Sequence, residues 1–171
     1  IMLTAIPQEE YQKYTLRFQE NTRRFADYYS AYVEKYQVEY TLLDQEIYNI
    51  LEMLQITLQL GLRMTFVKSS NYLFRYWQIR GLYEQAETHL QQAVLFCEDL
   101  NTTIDLITTL LNLGLTLQKR GNHVLAEVCF TKGLTIAENF GGAEAISALF
   151  WAFGGLIIQQ SESVSYTHLT L

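Results

Sequence analysis

A chain of 171 residues, 49% of them apolar, is long enough to bury one core of ordinary size. One proline and nine glycines are too few turn residues for a β-sandwich of this length, so long helices are favoured. The net charge of −6 is made of scattered charges of both signs with no Lys/Arg-rich run, which argues against nucleic acid as a direct partner.

In chain order, Pro7 followed by Gln8, Glu9 and Glu10 opens a first helix, with proline in the first turn and acids at the positive end of the dipole. Asn21 and Thr22 cap a second helix that runs to about Gln37. Thr41 caps a third, which runs to about Leu60 ahead of Gly61. Five more are expected near 63–80, 82–99, 103–120, 122–139 and 143–160, with Thr102 or Thr103 as a cap and Gly141 and Gly142 making the last turn. Tyr29, Tyr32 and Tyr36 stand at i, i+3, i+7 and read as one packing face of an amphipathic helix rather than an aromatic platform for a ligand.

The most apolar stretch, 148–158, is far shorter than the ~20 residues a bilayer requires, so it reads as a core helix and no membrane partner is expected. Cys97 and Cys129 lie in no CxxC pair and read as small buried hydrophobes of a reducing compartment. No signal peptide opens the chain, so a cytoplasmic location is expected. Both ends read as cut. The chain starts at Ile1, and residues 164–171 resemble a translated sequencing adapter, so 161–171 is expected to be a non-native or disordered tail.

The chain repeats itself with an offset of 40. Arg80 and Gly81 answer Arg120 and Gly121; Ala86 answers Ala126, Leu90 answers Phe130, and Ala93 answers Gly133. A third copy begins later, with Phe153 and Gly154 answering Leu113 and Gly114. A small residue at Gly114 lets two helices approach closely, and Gly121 suits the left-handed turn between them. Ala126, Phe130 and Gly133 then form a small–large–small face on the second helix. Phe74 stands where the first copy should be small, which puts its close helix contact in doubt. Positions 161, 166 and 170 hold Ser161, Tyr166 and Thr170, which miss the pattern, so the register is expected to stop near Gln160.

Leu113, Gly114, Gly121, Ala126, Phe130 and Gly133 together resemble the tetratricopeptide (TPR) pattern, with a period longer than the standard ~34 residues. The resemblance implies an all-α, antiparallel helix-hairpin array: a TPR-like right-handed α-solenoid. Residues 1–62 would be an N-terminal helical segment packing on it. Residues 63–160 would hold the repeats, at 63–100, 103–140 and, in part, 143–160. A second set of residues is similar to the region after the NB-ARC nucleotide-binding and winged-helix modules of bacterial STAND-class regulators: Leu43, Asp44, Glu46, Asn49 and Ile50, then Phe74, Trp77, Arg80 and Gly81. That resemblance implies a protein- or ligand-sensing module of a larger signalling ATPase or transcription regulator, whose partner is a protein, a peptide or a small-molecule inducer. The alternatives are an accessory helical domain of an enzyme and a stand-alone scaffold.

Catalytic patterns are missing from the sequence. There is no GxxxxGK[ST], GxSxG, GxGxxG or DxDxDG, and His89, His123 and His168 have no partner at metal-ligand spacing. No catalytic, metal or cofactor residue is assigned, and His89 reads as a surface residue among polar neighbours. In stacked repeats the first helices line a groove. Matching positions put Lys68, Asn71, Arg75 and Gln78 there from the first copy, Thr108, Leu111, Gln118 and Lys119 from the second, and Trp151 from the third. Lys68, Arg75 and Lys119 would meet an acidic peptide or carboxylate by charge-assisted hydrogen bonds. The face of Phe150, Phe153 and Ile157 is expected to lack a partner and to make the chain sticky.

Overall fold

The computed structural model describes residues 8–140 and 142–168, and among these the chain forms helices and no strand. Pro7, Gly141 and residues 169–171 lie outside the described residues. The chain divides into two compact units, Ile1–Leu62 and Arg63–Leu171.

The first unit holds α1 (Gln8–Lys35), α2 (Tyr40–Gln45) and α3 (Ile47–Gln59), with α1 packed along α3. Its fully buried side chains include Ala26, Val33, Leu43, Ile50, Met53 and Leu54. Two expected helices are here the single helix α1. Thr22 caps nothing; its hydroxyl donates to the Phe18 carbonyl one turn back (2.7 Å), a bond compatible with an unbroken helix. The expected third helix is instead split at Glu46, whose φ of −109° interrupts the regular backbone. Its Oε2 accepts the Tyr29 hydroxyl (2.8 Å) and the Asn49 amide (2.7 Å). These two bonds, that of Asn49 foremost, hold the carboxyl below its usual range. Tyr32 donates to the Leu42 carbonyl (3.2 Å), so the tyrosine face of α1 ties down the α2 region through its hydroxyls.

The second unit is a chain of antiparallel helices: α4 (Arg63–Arg80), α5 (Tyr83–Leu100), α6 (Thr103–Lys119), α7 (His123–Phe140) and α8 (Ala143–His168). Each packs on the next, and α6 also packs on α4 and on α8. One turn chemistry recurs every twenty residues. Gly61, Gly81 and Gly121 have φ of +66°, +68° and +80°, and Asn101 takes the same left-handed place at +54°. After each, the next amide reaches back to close the helix end: Leu62 to Thr57 (2.8 Å), Leu82 to Trp77 (2.8 Å), Thr102 to Cys97 (3.1 Å) and Asn122 to Leu117 (2.9 Å). This is the Schellman pattern, and it satisfies carbonyls that the helix itself leaves unpaired. Gly142 donates to Ala137 in the same sense (3.3 Å). Thr102 is the N-cap of α6 by position, yet its side chain makes no capping bond. The backbone of α8 runs past Gln160 to His168, over a stretch with no glycine or proline to end it.

Candidate functional site: the face shared by α4, α6 and α8

The repeat residues determine which faces are covered. Ala86, Leu90, Ala93 and Cys97 on α5 are fully buried, as are Ala126, Phe130 and Ala137 on α7. Gly114 on α6 marks the tightest approach: a Cβ there would lie 2.3 Å from Cε1 of Phe130. A Cβ at Gly133 would lie 3.0 Å from Leu149 on α8 and 3.7 Å from Leu110 on α6, so α7 nests between those two helices. The first copy is bulkier at this crossing. Phe74 takes the place of Gly114 and Leu90 that of Phe130, both are buried, and α4 still packs on α5. The larger residue at Phe74 does not keep α4 from packing on α5.

With those faces covered, residues 40 apart are left on an outer stripe of three neighbouring helices. On α4, Lys68 and Arg75 are exposed, and neither has an ion-pair partner among the described residues; Asn71 and Gln78 are half-buried. On α6, Thr108 and Lys119 are exposed and Leu111 and Gln118 half-buried, with the Thr108 hydroxyl turned to the Ile104 carbonyl (3.1 Å). On α8, Trp151 is 85% exposed. Cations stand on α4 (Lys68, Arg75) and at the end of α6 (Lys119), Thr108 and Leu111 give α6 a hydroxyl and aliphatic surface, and Trp151 gives α8 an aromatic one.

Asn71 also has a second role. Its Nδ2 donates to Thr109 Oγ1 (2.9 Å) and its Oδ1 accepts from Asn112 Nδ2 (3.0 Å), while Thr109 donates to the Asp105 carbonyl (2.7 Å). This polar ladder clamps α4 to α6. The repeat pattern marks out neither Asn112 nor Thr109, although Asn112 interrupts an apolar face whose counterpart forty residues on is Ala152. His89, expected on the surface, is half-buried. Its ring lies between Phe66 (5.9 Å) and Trp77 (5.2 Å) of α4, and Nδ1 donates to the Gln85 carbonyl (2.7 Å). The polar neighbours in sequence misled because ring stacking is set by the facing helix.

Both cysteines are free and buried. Burial raises the Cys97 thiol and pushes Cys129 up to about 11, so neither is a ready nucleophile at neutral pH. Among the described residues no His/Cys/Asp/Glu group is placed to hold a metal ion, and no helix is long and apolar enough to cross a membrane.

The paired helices, the glycine turns and the small–large–small faces are matched by a family model, that of the tetratricopeptide repeat, over residues 76–144. A tetratricopeptide repeat lies at these residues. The match spans the end of α4 through the start of α8 and so takes in α5, α6 and α7 whole. TPR folds are typically non-catalytic and serve protein–protein interaction. No curated protein matches the chain.

Proposed function

We propose that the shared face of α4, α6 and α8 binds an extended peptide, acidic where it crosses α4 and apolar where it reaches α8. The observation that carries this reading is the order of side chains across the face: Lys68 and Arg75, with no ion-pair partner among the described residues, on α4, Trp151 at 85% exposure on α8, and Leu111 between them. Guanidinium and ammonium groups bind carboxylates strongly in a defined geometry, and an exposed indole supplies area for an aliphatic or aromatic anchor. Gln78, Thr108, Gln118 and Lys119 supply hydrogen-bond donors along the way. We further propose that this module is the sensor of a larger bacterial ATPase of the STAND class, in which engagement of the peptide or of an inducer relieves autoinhibition.

The test uses a fluorescein-labelled peptide with two glutamates at one end and a tryptophan at the other, followed by anisotropy. Lys68→Glu with Arg75→Glu is expected to lower affinity at least tenfold, and added salt to weaken the wild-type complex. Trp151→Ala is expected to weaken it without changing the salt dependence. Binding indifferent to the charge reversal would reject the peptide-site reading. For the parent protein, a phosphate-binding GxxxxGK[ST] loop encoded upstream in the same gene is expected; a catalytic domain of another class there would reject the sensor role.

A further inference from the structure

The α8 face of Phe150, Gly154 and Ile157 has the make-up of a covered face, yet among the described residues it is largely open. On α6 Leu110, Leu113, Gly114 and Leu117 are all buried, Leu110 and Leu117 at 2% exposure each, and the Phe130 ring of α7 lies over Gly114. Forty residues on, α8 presents Phe150, Gly154 and Ile157, with Phe150 at 54% and Ile157 at 53% exposure; Phe153, expected on the same partnerless face, is instead half-buried and meets the Phe130 ring of α7 edge-on with centroids 6.4 Å apart. The contrast is sharpest at the glycines. The Phe130 ring fills the space a Cβ would take at Gly114, whereas no described atom lies within 4 Å of one at Gly154. A hollow of about 390 Å³ opens there, lined by Phe150, Trp151, Gly154, Gly155 and Ile158.

Charge repeats in the same way. Glu98 on α5 is ion-paired with Lys132 of α7, two residues after Phe130. Glu138 on α7 is its counterpart forty residues on; it is exposed and has no ion-pair partner among the described residues.

We infer that the α7–α8 end docks one helix of a partner segment with the chemistry of α7 itself. That helix carries a small residue, an aromatic four residues later to enter the hollow over Gly154, a lysine or arginine two further on for Glu138, and a small residue directly after it. In α7 this series is Ala126, Phe130, Lys132 and Gly133. The docking continues the α6–α7 interface by one unit, so the existing interface supplies its template. It lies on a different face from the peptide stripe, although Trp151 borders both.

The probe is a fluorescein-labelled synthetic peptide with the sequence of residues 121–142, titrated against the full chain. Saturable binding is expected. Phe130→Ala in the peptide should lower affinity at least tenfold, and so should Gly154→Leu in the protein, placed where a Cβ meets no described atom. Glu138→Lys in the protein should weaken binding several-fold, and Lys132→Glu in the peptide should restore it. Absence of saturable binding overturns the inference, as does binding that survives Gly154→Leu. Light scattering that shows the free chain to be a dimer, made monomeric by Gly154→Leu, would assign the face to a second copy and overturn it too.

Discussion

Replacing Gly114 by alanine puts two opposing effects at one site. Alanine in a helix interior gains about 1 kcal/mol over glycine. Against that, the new Cβ would lie 2.3, 2.7 and 2.9 Å from Cε1, Cδ1 and Cζ of Phe130, where ordinary carbon contacts are about 3.5–4.0 Å. The ring must move by roughly 1 Å, yet Phe130 is fully buried and a packed core has no slack to take it. Overpacking of this kind costs about 1–3 kcal/mol, and a clash with the body of a ring belongs at the upper end. Gly114→Ala should therefore be net destabilising by about 1–2 kcal/mol, which lowers Tm by about 2–8 °C in a chain of this size. Gly154→Ala is the control: the same exchange in a neighbouring helix meets no described atom and should raise Tm by about 2–4 °C. Phe130→Leu alone should cost about 1 kcal/mol as a cavity. Combined with Gly114→Ala it should cost less than the sum of the two, because the smaller side chain removes the ring atoms that the new Cβ would meet. Thermal melts followed by circular dichroism, with urea titrations, read all four variants against the wild type. If Gly114→Ala melted at or above the wild-type temperature, or the double variant were simply additive, the reading of a size-limited helix crossing would be wrong.

Ala126→Trp should unfold the α6–α7 hairpin, because Ala126 is fully buried; full helical ellipticity with an unchanged Tm would refute its place in the crossing. Asn71→Leu leaves the Asn112 amide without its acceptor and should cost about 1–3 kcal/mol in urea unfolding. Asn71→Leu with Asn112→Ala copies Leu111 and Ala152 of the next junction and should recover most of that loss. Cys129 should resist iodoacetamide at pH 8 until the fold is opened with urea, since burial keeps its thiol protonated. Its folded value of about 11 lies above the ordinary 9.0, so its contribution is complete below about pH 9 and is lost as pH rises through about 11. Cys129→Ala should flatten the fall in stability over that window; an unchanged slope would show that other groups carry it.

The helix-hairpin array was legible because its signal is one of size and spacing. Gly81 and Gly121 mark helix ends, and Ala86, Ala126 and Gly133 mark where rods touch, whatever the fine geometry. The twenty-residue turn series was half hidden, since Asn101 takes the place of a glycine and only its φ of +54° declares it. Local cap chemistry misled in the first unit. Thr22 has the right composition for an N-cap, but a hydroxyl can bond one turn back instead, and the apolar contacts of α1 with α3 favour a continuous helix.

The stripe of Lys68, Arg75, Thr108 and Trp151 follows from periodicity, but its occupancy by partners does not. Asn71 shows the limit. Repeat position put it on the open stripe, and its side chain spends its hydrogen bonds on Thr109 and Asn112 of the next helix. The amino-acid order alone determines period, turn sites and small contact positions, because steric size and backbone freedom are properties of single residues. Which polar groups meet, whether His89 stacks or faces water, and which apolar face stays bare were decided only in three dimensions. Those outcomes depend on what the facing helix presents at the same height, and no stretch of chain carries that information about another.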